Sequence, residues 1–232
     1  MTVTDQKITD DKSIVQDYFN SVGFDRWRRI YGQDEVNKVQ LDIRMGHQQT
    51  VDKVLAWLKS EADLAMTTIC DAGCGVGSLS IPLAKMGAQV FASDISEKMV
   101  AEARDRATTQ LGQSNNLTFA VQDLEALTGS YHTVVCLDVL IHYPQDKAAA
   151  MIQHLSKLAT HRFILSFAPK TLCYSLLKRI GDFFPGPSKA TRAYLHREAE
   201  VVAVLEAAGW TVQRTEMTKT RFYFSRLLEV TR

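Results

Sequence analysis

The sequence predicts an α/β fold: a seven-stranded, mostly parallel sheet with helices on both faces. Three observations predict it. Strand-like and helix-like segments alternate from residue 67 to residue 167, which is typical of βαβ units with parallel strands. Several strand segments are almost continuously apolar, such as residues 133–137, as expected of strands buried on both faces. Two further strand-like segments end the chain, and we expect them to form a hairpin that completes the sheet.

The N-terminal part predicts a helical arm. The apolar side chains of its first helix follow the i, i+3, i+4, i+7 spacing of an amphipathic helix, and we expect Gly23 to interrupt it. An aromatic and basic segment, residues 24–32, follows, and a second helix is expected over residues 36–59. The spaced apolar residues are Val15, Tyr18, Phe19 and Val22.

The remaining elements follow in a regular order. We expect strands at residues 67–71, 89–94, 117–122, 132–137, 162–167, 211–219 and 221–230, and helices at residues 77–86, 96–110, 146–158 and 198–208. Ser96 is a suitable N-cap, and Gly209 is a suitable residue to follow a helix end. Residues 170–197 interrupt the rhythm. We therefore divide the chain into an N-terminal arm (1–60), a core (61–168), a substrate cap (169–197) and a closing helix with hairpin (198–232).

Composition narrows the class of protein. The 232 residues suit one sizeable domain with a small cap, and 46% hydrophobic with 23% charged residues is ordinary for a soluble globular protein. A formal net charge of +1 gives no global field that would attract nucleic acid. We therefore expect a small-molecule partner and no nucleic acid, while peripheral membrane contact stays open.

The cysteines and the first residues bear on location. No CxxC pair and no His/Cys cluster has zinc spacing, so we expect no metal site and buried free thiols, as in a reducing compartment. Residues 1–12 are polar and lack the apolar stretch of a secretory signal. A cytoplasmic location is expected. The four cysteines are Cys70, Cys74, Cys136 and Cys173.

The sharpest motif is the segment 71–77, Asp-Ala-Gly-Cys-Gly-Val-Gly, between a strand and a helix. It departs from the dinucleotide pattern G-x-G-x-x-G, because Ser78 stands where the third glycine is required. A carboxylate at Asp71 would repel a pyrophosphate, whereas S-adenosylmethionine (SAM) carries an ammonium and a sulfonium. The motif thus favours SAM, with a nucleotide site and a bare turn as alternatives. The expected contact residues are Asp71, Gly73, Gly75 and Gly77.

Two more acids follow the next strands. Asp94 ends its strand, where a carboxylate can accept hydrogen bonds from both ribose hydroxyls, with Ile95 beside it. Asp123 follows the third strand, where it could accept from an adenine amino group while Leu124 packs on the ring. The alternatives are a helix-capping role for Asp94 and a turn role for Asp123. Because the carboxyl ends of parallel strands meet at one edge of a sheet, three such acids predict one cleft.

This order of motifs resembles the class I SAM-dependent methyltransferases, over residues 67–167 in particular. The resemblance implies a Rossmann-like fold with one antiparallel strand. It also implies that residues 136–144 lie where the methyl group emerges, with Asp138 along the methionine end. No Asn-Pro-Pro-Tyr run occurs, so the segment favours small-molecule methylation. His142 could bind the acceptor or act as a base, or be structural. The other histidines, His47, His132, His154, His161 and His196, are interpreted as surface or structural residues.

Two segments outside the core are basic and apolar together. They are residues 26–44 and 170–197, and the second holds six cations against a single acid, Asp182. This composition suits a flat, apolar substrate with anionic groups, because arginine binds carboxylates with a bidentate fork. The alternative is an amphipathic helix with a solvated basic face. The expected substrate-binding residues are Arg28, Arg29, Arg44, Lys178, Arg179 and Arg192.

A narrower resemblance rests on three stretches, residues 17–19, residues 24–32 and the Phe-Phe-Pro-Gly-Pro run at 183–187. They are similar to the magnesium-protoporphyrin IX O-methyltransferases of chlorophyll biosynthesis. This resemblance implies methyl transfer from SAM to one propionate of Mg-protoporphyrin IX, giving the monomethyl ester. It also implies contact with the large subunit of magnesium chelatase and work at the periphery of photosynthetic membranes.

The implied methyl transfer does not require a strong base. A propionate has a pKa of about 4.3, as glutamate does, so it is already an anion at neutral pH and needs no strong base. We therefore expect Tyr31 and His142 to act as orienting hydrogen-bond donors. Three other functions stay open at this point: methylation of a quinone or other small phenol, an NAD-dependent oxidoreductase, which Asp71 and Ser78 disfavour, and a non-catalytic SAM-binding module.

Overall fold

The computed structural model describes residues 13–59, 64–170 and 194–232. Its strands form one seven-stranded sheet in the order β3-β2-β1-β4-β5-β7-β6. The first five strands are parallel to one another, and β7 runs antiparallel to both β5 and β6. This confirms the predicted fold class. The strands are β1 (Thr68–Ala72), β2 (Gln89–Asp94), β3 (Leu117–Val121), β4 (Tyr131–Cys136), β5 (Ala159–Phe167), β6 (Thr211–Lys219) and β7 (Phe224–Thr231).

Helices cover both faces of the sheet. Successive strand residues point to opposite faces, so Val134 packs in one core cluster and Val135 in the other. Side chains of α6 and α7 fill the first cluster, and side chains of α3 and α4 fill the second. The helices are α1 (residues 13–20), α2 (Val22–Ile30), α3 (Lys38–Lys59), α4 (Ser80–Lys85), α5 (Glu97–Leu111), α6 (Gln145–Leu158) and α7 (Glu198–Ala207).

The N-terminal helices break at a different residue from the predicted one. The turn lies at Ser21, and Gly23 is a buried residue inside α2. A Cβ atom at Gly23 would lie 2.5 Å from Cε1 of Tyr18, so this glycine is needed for the packing of the Tyr18 ring. Val22, which the spacing assigns to the apolar face, is 72% exposed. The break rotates α2 relative to α1, so the apolar spacing does not continue across it.

Two other boundaries differ for local reasons. Helix α4 begins at Ser80 instead of residue 77 because Gly77 has φ +80°, which a right-handed helix excludes. Strand β7 begins at Phe224 instead of residue 221. Residues 220–223 form the turn of the β6–β7 hairpin, where Asp42 of α3 accepts hydrogen bonds from the backbone N–H groups of Arg221 and Phe222. The hairpin itself is confirmed.

The described cysteines and helices agree with a buried, unbridged interior. Cys70, Cys74 and Cys136 are free and buried, as expected, while Cys173 lies outside the described residues. Among residues 13–59, 64–170 and 194–232, no helix has the length and apolar character to cross a membrane. In the same ranges no group of histidine, cysteine and acidic side chains could hold a metal ion.

A buried ion pair joins the last three strands. The Glu229 carboxylate on β7 lies 3.0 Å from Nε of Arg162 on β5 and 2.8 Å from Nε of Arg214 on β6. The side chains of Glu229 and Arg162 are 1% and 6% exposed. Removing the shared acid would leave two cations against each other, one of them buried, and this is strongly destabilising.

We therefore expect Glu229→Gln to lower the free energy of unfolding by about 3 kcal/mol, measured by urea denaturation. Glu200→Gln is the matched control. Glu200 pairs with Arg197 at the exposed start of α7, and loss of an exposed pair costs about 1 kcal/mol or less. Equal effects of the two substitutions would contradict the role given to the buried pair.

Candidate active site

A cavity of about 480 Å³ lies at the carboxyl ends of the central strands. Strand β1 pairs with β2 on one side and β4 on the other, so the strand order reverses beside β1. Ligands of open α/β sheets bind at such a switch point. The loops after β1, β2, β3 and β4 form the floor, and α1, α2, α3 and the turn before β7 form the remaining walls.

The glycine loop after β1 uses its N–H groups internally. The backbone N–H groups of Gly73 and Cys74 both donate to the Ser93 carbonyl at 2.8 Å, and that of Gly75 donates to the Asp94 carboxylate at 2.9 Å. A phosphate site needs such N–H groups free. Gly73 also has φ +85°, and a Cβ atom there would lie 2.2 Å from Cγ2 of Val139. The loop therefore suits a cationic or neutral ligand and disfavours a pyrophosphate.

Asp94 lies in the cavity wall at the end of β2, beside Ile95. Its two carboxylate oxygens accept from the backbone N–H groups of Gly75 and Ser96, both at 2.9 Å. Burial raises the pKa of Asp94, and the backbone hydrogen bonds oppose this shift. A carboxylate offers about four acceptor positions, and the backbone N–H of Ile95 is a third donor beside those of Gly75 and Ser96, so Asp94 keeps capacity for a further donor. Ser96 also caps α5 through its hydroxyl, which accepts from the N–H of Met99, as predicted.

The third strand contributes Asp123 and Leu124, which both line the cavity. Asp123 Oδ1 accepts from the backbone N–H of Glu125 at 3.1 Å and so caps a short 3₁₀ turn, Leu124–Ala126. Leu124 is buried against the core. An acid and an apolar side chain therefore stand together at the end of β3, beside the Asp94 wall.

Asp71 and Gly77 are the two expected contact residues that do not line the cavity. The Asp71 carboxylate is buried and accepts a hydrogen bond from the Ser80 hydroxyl at the start of α4. Burial raises the pKa of Asp71 to about 6, against the opposing Ser80 bond and with a contribution from the Asp94 charge. A Cβ atom on Gly77 would crowd Ile81. Both residues shape the loop, which leaves ligand contact to their neighbours.

Asp138 is the polar centre of the cavity. It is the only described residue other than glycine with a positive φ, at 57°. One carboxylate oxygen accepts from Tyr223 at 2.7 Å and lies 2.9 Å from Nδ1 of His47, and the other accepts from Ser166 at 3.0 Å and Ser225 at 3.3 Å. Burial raises the pKa of Asp138, but the hydrogen bonds and the His47 charge outweigh it and hold the pKa below its ordinary value.

Tyr31 stacks on this centre. Its ring centroid lies 4.2 Å from that of His47 and 5.3 Å from that of Trp27. The Tyr31 hydroxyl makes no hydrogen bond to the described residues, and its ring lines the cavity. Burial, followed by the charge of Asp138, raises the pKa of Tyr31 well above its ordinary value. At neutral pH this phenol is therefore a hydrogen-bond donor.

His142 lies on the short 3₁₀ turn after β4, Leu140–His142. Its ring makes an edge-to-face contact with the ring of Phe19 on α1. Its Nδ1 is buried without a hydrogen-bond partner in the described part of the chain. Burial lowers the pKa of His142 to about 4, and the Asp138 charge opposes this shift. The imidazole is therefore neutral at pH 7 and too weakly basic to hold a proton there.

The described members of the expected substrate-binding set, Arg28, Arg29 and Arg44, do not line the cavity. Arg44 donates to the backbone carbonyls of Arg29, Ile30 and Asp34, which fixes the end of α2 against α3. Arg28 pairs with Asp34 at 3.3 Å, and Arg29 is on the exposed side of α2. The basic residues of this arm therefore hold its own backbone and surface. The remaining three, Lys178, Arg179 and Arg192, lie outside the described residues.

Among the cavity residues that were absent from the expected set, two are basic, His47 and Arg26. His47 was interpreted as surface or structural, yet it pairs with Asp138, 91 positions away in the chain. One signal could have found it: His47 lies one helical turn from Ile43 and one from the buried Thr50, so the inward face of α3 includes position 47. Arg26 has no such signal, since its neighbours Arg28 and Arg29 have the same charge.

Comparison with known proteins gives consistent findings. The magnesium-protoporphyrin IX methyltransferase C-terminus model matches residues 136–232, and a methyltransferase domain model matches residues 69–161. The magnesium-protoporphyrin O-methyltransferase of Synechocystis sp. is 62% identical, over 96% of this chain and 97% of that protein. The chloroplastic magnesium protoporphyrin IX methyltransferase of Arabidopsis thaliana is 62% identical, over 94% and 70%. A crystal structure of the Synechocystis PCC 6803 enzyme with bound S-adenosylhomocysteine (SAH) is similar, with a TM-score of 0.89 and 61% identity over 95% and 99% of the two chains.

Proposed function

The chain belongs to the magnesium-protoporphyrin IX methyltransferase family, and from this premise we infer that it methylates Mg-protoporphyrin IX in chlorophyll biosynthesis. The reaction transfers a methyl group from SAM to a propionate carboxylate and gives the monomethyl ester and SAH. The observation that carries this conclusion is 62% identity across nearly the whole of both chains. A match of that extent includes the N-terminal arm, and so favours the porphyrin over the quinone alternative that the core alone leaves open.

The residues at the strand ends fit this methyl donor. The N–H groups of Gly73, Cys74 and Gly75 are already used within the protein, Asp94 keeps acceptor capacity for a ribose hydroxyl, and Asp123 stands beside apolar Leu124. We propose that Asp94 holds the ribose and that Asp123 and Leu124 hold the adenine, with Gly73, Gly75 and Ile95 closing around them. Asp138 lies further along, toward the amino-acid end. Asp71 and Gly77 act indirectly in this proposal, by shaping the loop.

The chain's own residues then have a task of orientation. When bound, SAM supplies an electrophilic methyl group on a positively charged sulfur. A propionate is already ionised at neutral pH, so the site must align an anionic oxygen and does not need to remove a proton. The neutral His142 agrees with this, because a group with a pKa of about 4 is a poor base at pH 7.

Tyr31 and His142 are the residues that we propose to orient the carboxylate. Both line the cavity, and Nδ1 of His142 is buried without a hydrogen-bond partner in the described part of the chain. A neutral phenol or imidazole N–H holds an oxygen by a hydrogen bond without the strong pairing that would blunt its nucleophilicity. His47 and Asp138 help to fix this arrangement. The Tyr31 ring packs against the His47 ring, and His47 is held by its contact with Asp138.

We also propose how the arm, the cap and the surroundings contribute. The expected boundaries are residues 1–60, 61–168, 169–197 and 198–232, and residues 171–193 of the cap lie outside the described residues. The arm, whose described helices form part of the cavity wall, would help to exclude water from the site. Three apolar side chains, Leu41 and Met45 on α3 and Phe222 in the cavity wall, are 43–54% exposed. They support peripheral contact with a photosynthetic membrane, testable by vesicle flotation. Transfer of substrate from the large subunit of magnesium chelatase is testable by co-purification.

The direct test of the reaction is incubation of the purified chain with Mg-protoporphyrin IX and SAM labelled in its methyl group. We expect one labelled methyl group on the porphyrin, found by mass spectrometry, and a product that base hydrolyses back to the free acid. Absence of porphyrin methylation, while a quinol or other phenol is methylated, would contradict the proposed substrate.

We expect Tyr31→Phe and His142→Ala each to lower kcat about tenfold or more, because each removes a hydrogen bond that orients the reacting oxygen. SAM affinity, measured by calorimetry, should stay within a few-fold. The kcat of the unmodified enzyme should stay nearly constant between about pH 7 and pH 8, above the pKa of about 6 of Asp71, since the reaction itself needs no base. Tyr131→Phe, at the other end of β4, is the matched control. Full activity of both site variants would refute their roles.

We expect Asp94→Ala to weaken SAM and SAH binding at least tenfold, because it removes charge-assisted hydrogen bonds to the ribose. Asp94 also holds the backbone of Gly75 and Ser96, so Asp94→Asn is the second variant. It keeps one oxygen and the shape, and we expect an intermediate affinity. Calorimetry that finds both variants binding SAH as tightly as the unmodified chain would rule out the ribose contact.

A further inference from the structure

One permanent cation lines the cavity in the part of the chain that the structure describes. The basic side chains in its wall are Arg26, His47 and His142. His142 is neutral at pH 7 because burial lowers its pKa to about 4, and His47 is engaged with Asp138. Arginine stays protonated at any accessible pH. The positive charge offered to a ligand by the described wall is therefore chiefly that of Arg26.

Arg26 differs from its neighbours in lacking an acceptor. Arg28 pairs with Asp34, and Arg44 and Arg106 donate to backbone carbonyls of the same arm. Arg26 makes no ion pair with any described residue, and its Nε is buried without a hydrogen-bond partner. Its described contact is the Trp27 ring, with the guanidinium carbon 5.7 Å from the centroid. A partly buried cation without a counter-ion is costly, and an anionic ligand would relieve this cost.

The position of Arg26 indicates which anion. It lies on α2 with an aromatic group, Tyr18, Phe19 and Trp27, in which Trp27 Nε1 donates to the Tyr18 hydroxyl at 3.2 Å. These side chains belong to the N-terminal arm, which contacts the end of β2 through the hydrogen bond of the Ser96 hydroxyl to the Phe19 carbonyl, while Asp94 and Asp123 belong to the strand ends. A flat apolar ring system with a carboxylate at its edge would contact both the aromatic faces and the guanidinium.

We propose that Arg26 binds the second, non-reacting propionate of the porphyrin and makes the enzyme select a substrate with two free carboxylates. This rests on the proposed function. The reacting carboxylate has to keep its nucleophilicity, so a tight arginine fork suits the other one. After one methylation, the remaining carboxylate could react only if the neutral ester lay against Arg26. The same contact therefore stops the reaction at the monomethyl ester.

The test uses Arg26→Gln and Arg26→Lys with two acceptors, Mg-protoporphyrin IX and its monomethyl ester. The unmodified enzyme should strongly prefer the diacid by kcat/KM. In Arg26→Gln we expect kcat/KM for the diacid to fall about tenfold or more, mainly through KM, while the value for the monoester stays within about twofold. The preference for the diacid over the monoester then falls by about the same factor. Arg26→Lys keeps the charge and should recover part of the preference.

Two controls separate this role from other roles. Arg104→Gln removes one positive charge from the exposed side of α5 and should leave the preference intact. SAH affinity, measured by calorimetry, should stay within about twofold in both Arg26 variants. A tenfold loss of SAH affinity with an unchanged preference would overturn the proposal, because it would indicate that Arg26 binds the carboxylate of the methyl donor. Equal losses for diacid and monoester would overturn it as well, because a general packing role affects both substrates alike. The direct methylation assay on the unmodified chain decides the proposed function independently of these variants.

Discussion

The carboxylate of Asp138 joins elements that are far apart in the chain. It receives hydrogen bonds from Tyr223 in the turn before β7, from Ser166 on β5 and from Ser225 on β7, and it lies 2.9 Å from His47 on α3. Such a buried charge is tolerated only when its acceptor positions are filled. The arm and the hairpin must therefore dock together for Asp138 to be satisfied, and the φ of 57° at this residue is part of that arrangement.

This docking also explains the shape of the upper wall. A Cβ atom at Gly46 of α3 would lie 2.4 Å from the Tyr223 ring, so only glycine allows the turn to approach the helix. The Tyr223 hydroxyl then reaches both Thr50 and Asp138. On the other side the His47 ring supports Tyr31, which brings α2 over the cavity. The position of the Tyr31 phenol thus depends on a network whose centre is a carboxylate on another element.

Acidic and basic side chains line different parts of the cavity. Acids at the strand ends, Asp94 and Asp123, stand where a cationic adenosyl compound would bind, while the arm offers aromatic faces and the Arg26 guanidinium. Burial lowers the pKa of His142 to about 4, so this imidazole is a poor proton carrier at pH 7. An esterification that starts from an ionised carboxylate needs alignment and not proton transfer, and this wall is suited to alignment.

The amino-acid sequence by itself determined the sheet class, the donor loop and the acids at the strand ends, because these depend on short-range features: almost continuously apolar strand segments that alternate with helical ones, glycines next to a strand, and a carboxylate at a strand end. Ser96 as the cap of α5 follows from the same local chemistry. Only the tertiary structure decided which basic side chains reach the cavity. Arg28, Arg29 and Arg26 are equivalent in composition, but the turn at Ser21 and the Arg44 bonds set the rotation of α2, so that Arg26 is the one in the wall. The pairing of His47 with Asp138 is likewise invisible in sequence, since two residues 91 positions apart meet only after the helix has packed on the sheet.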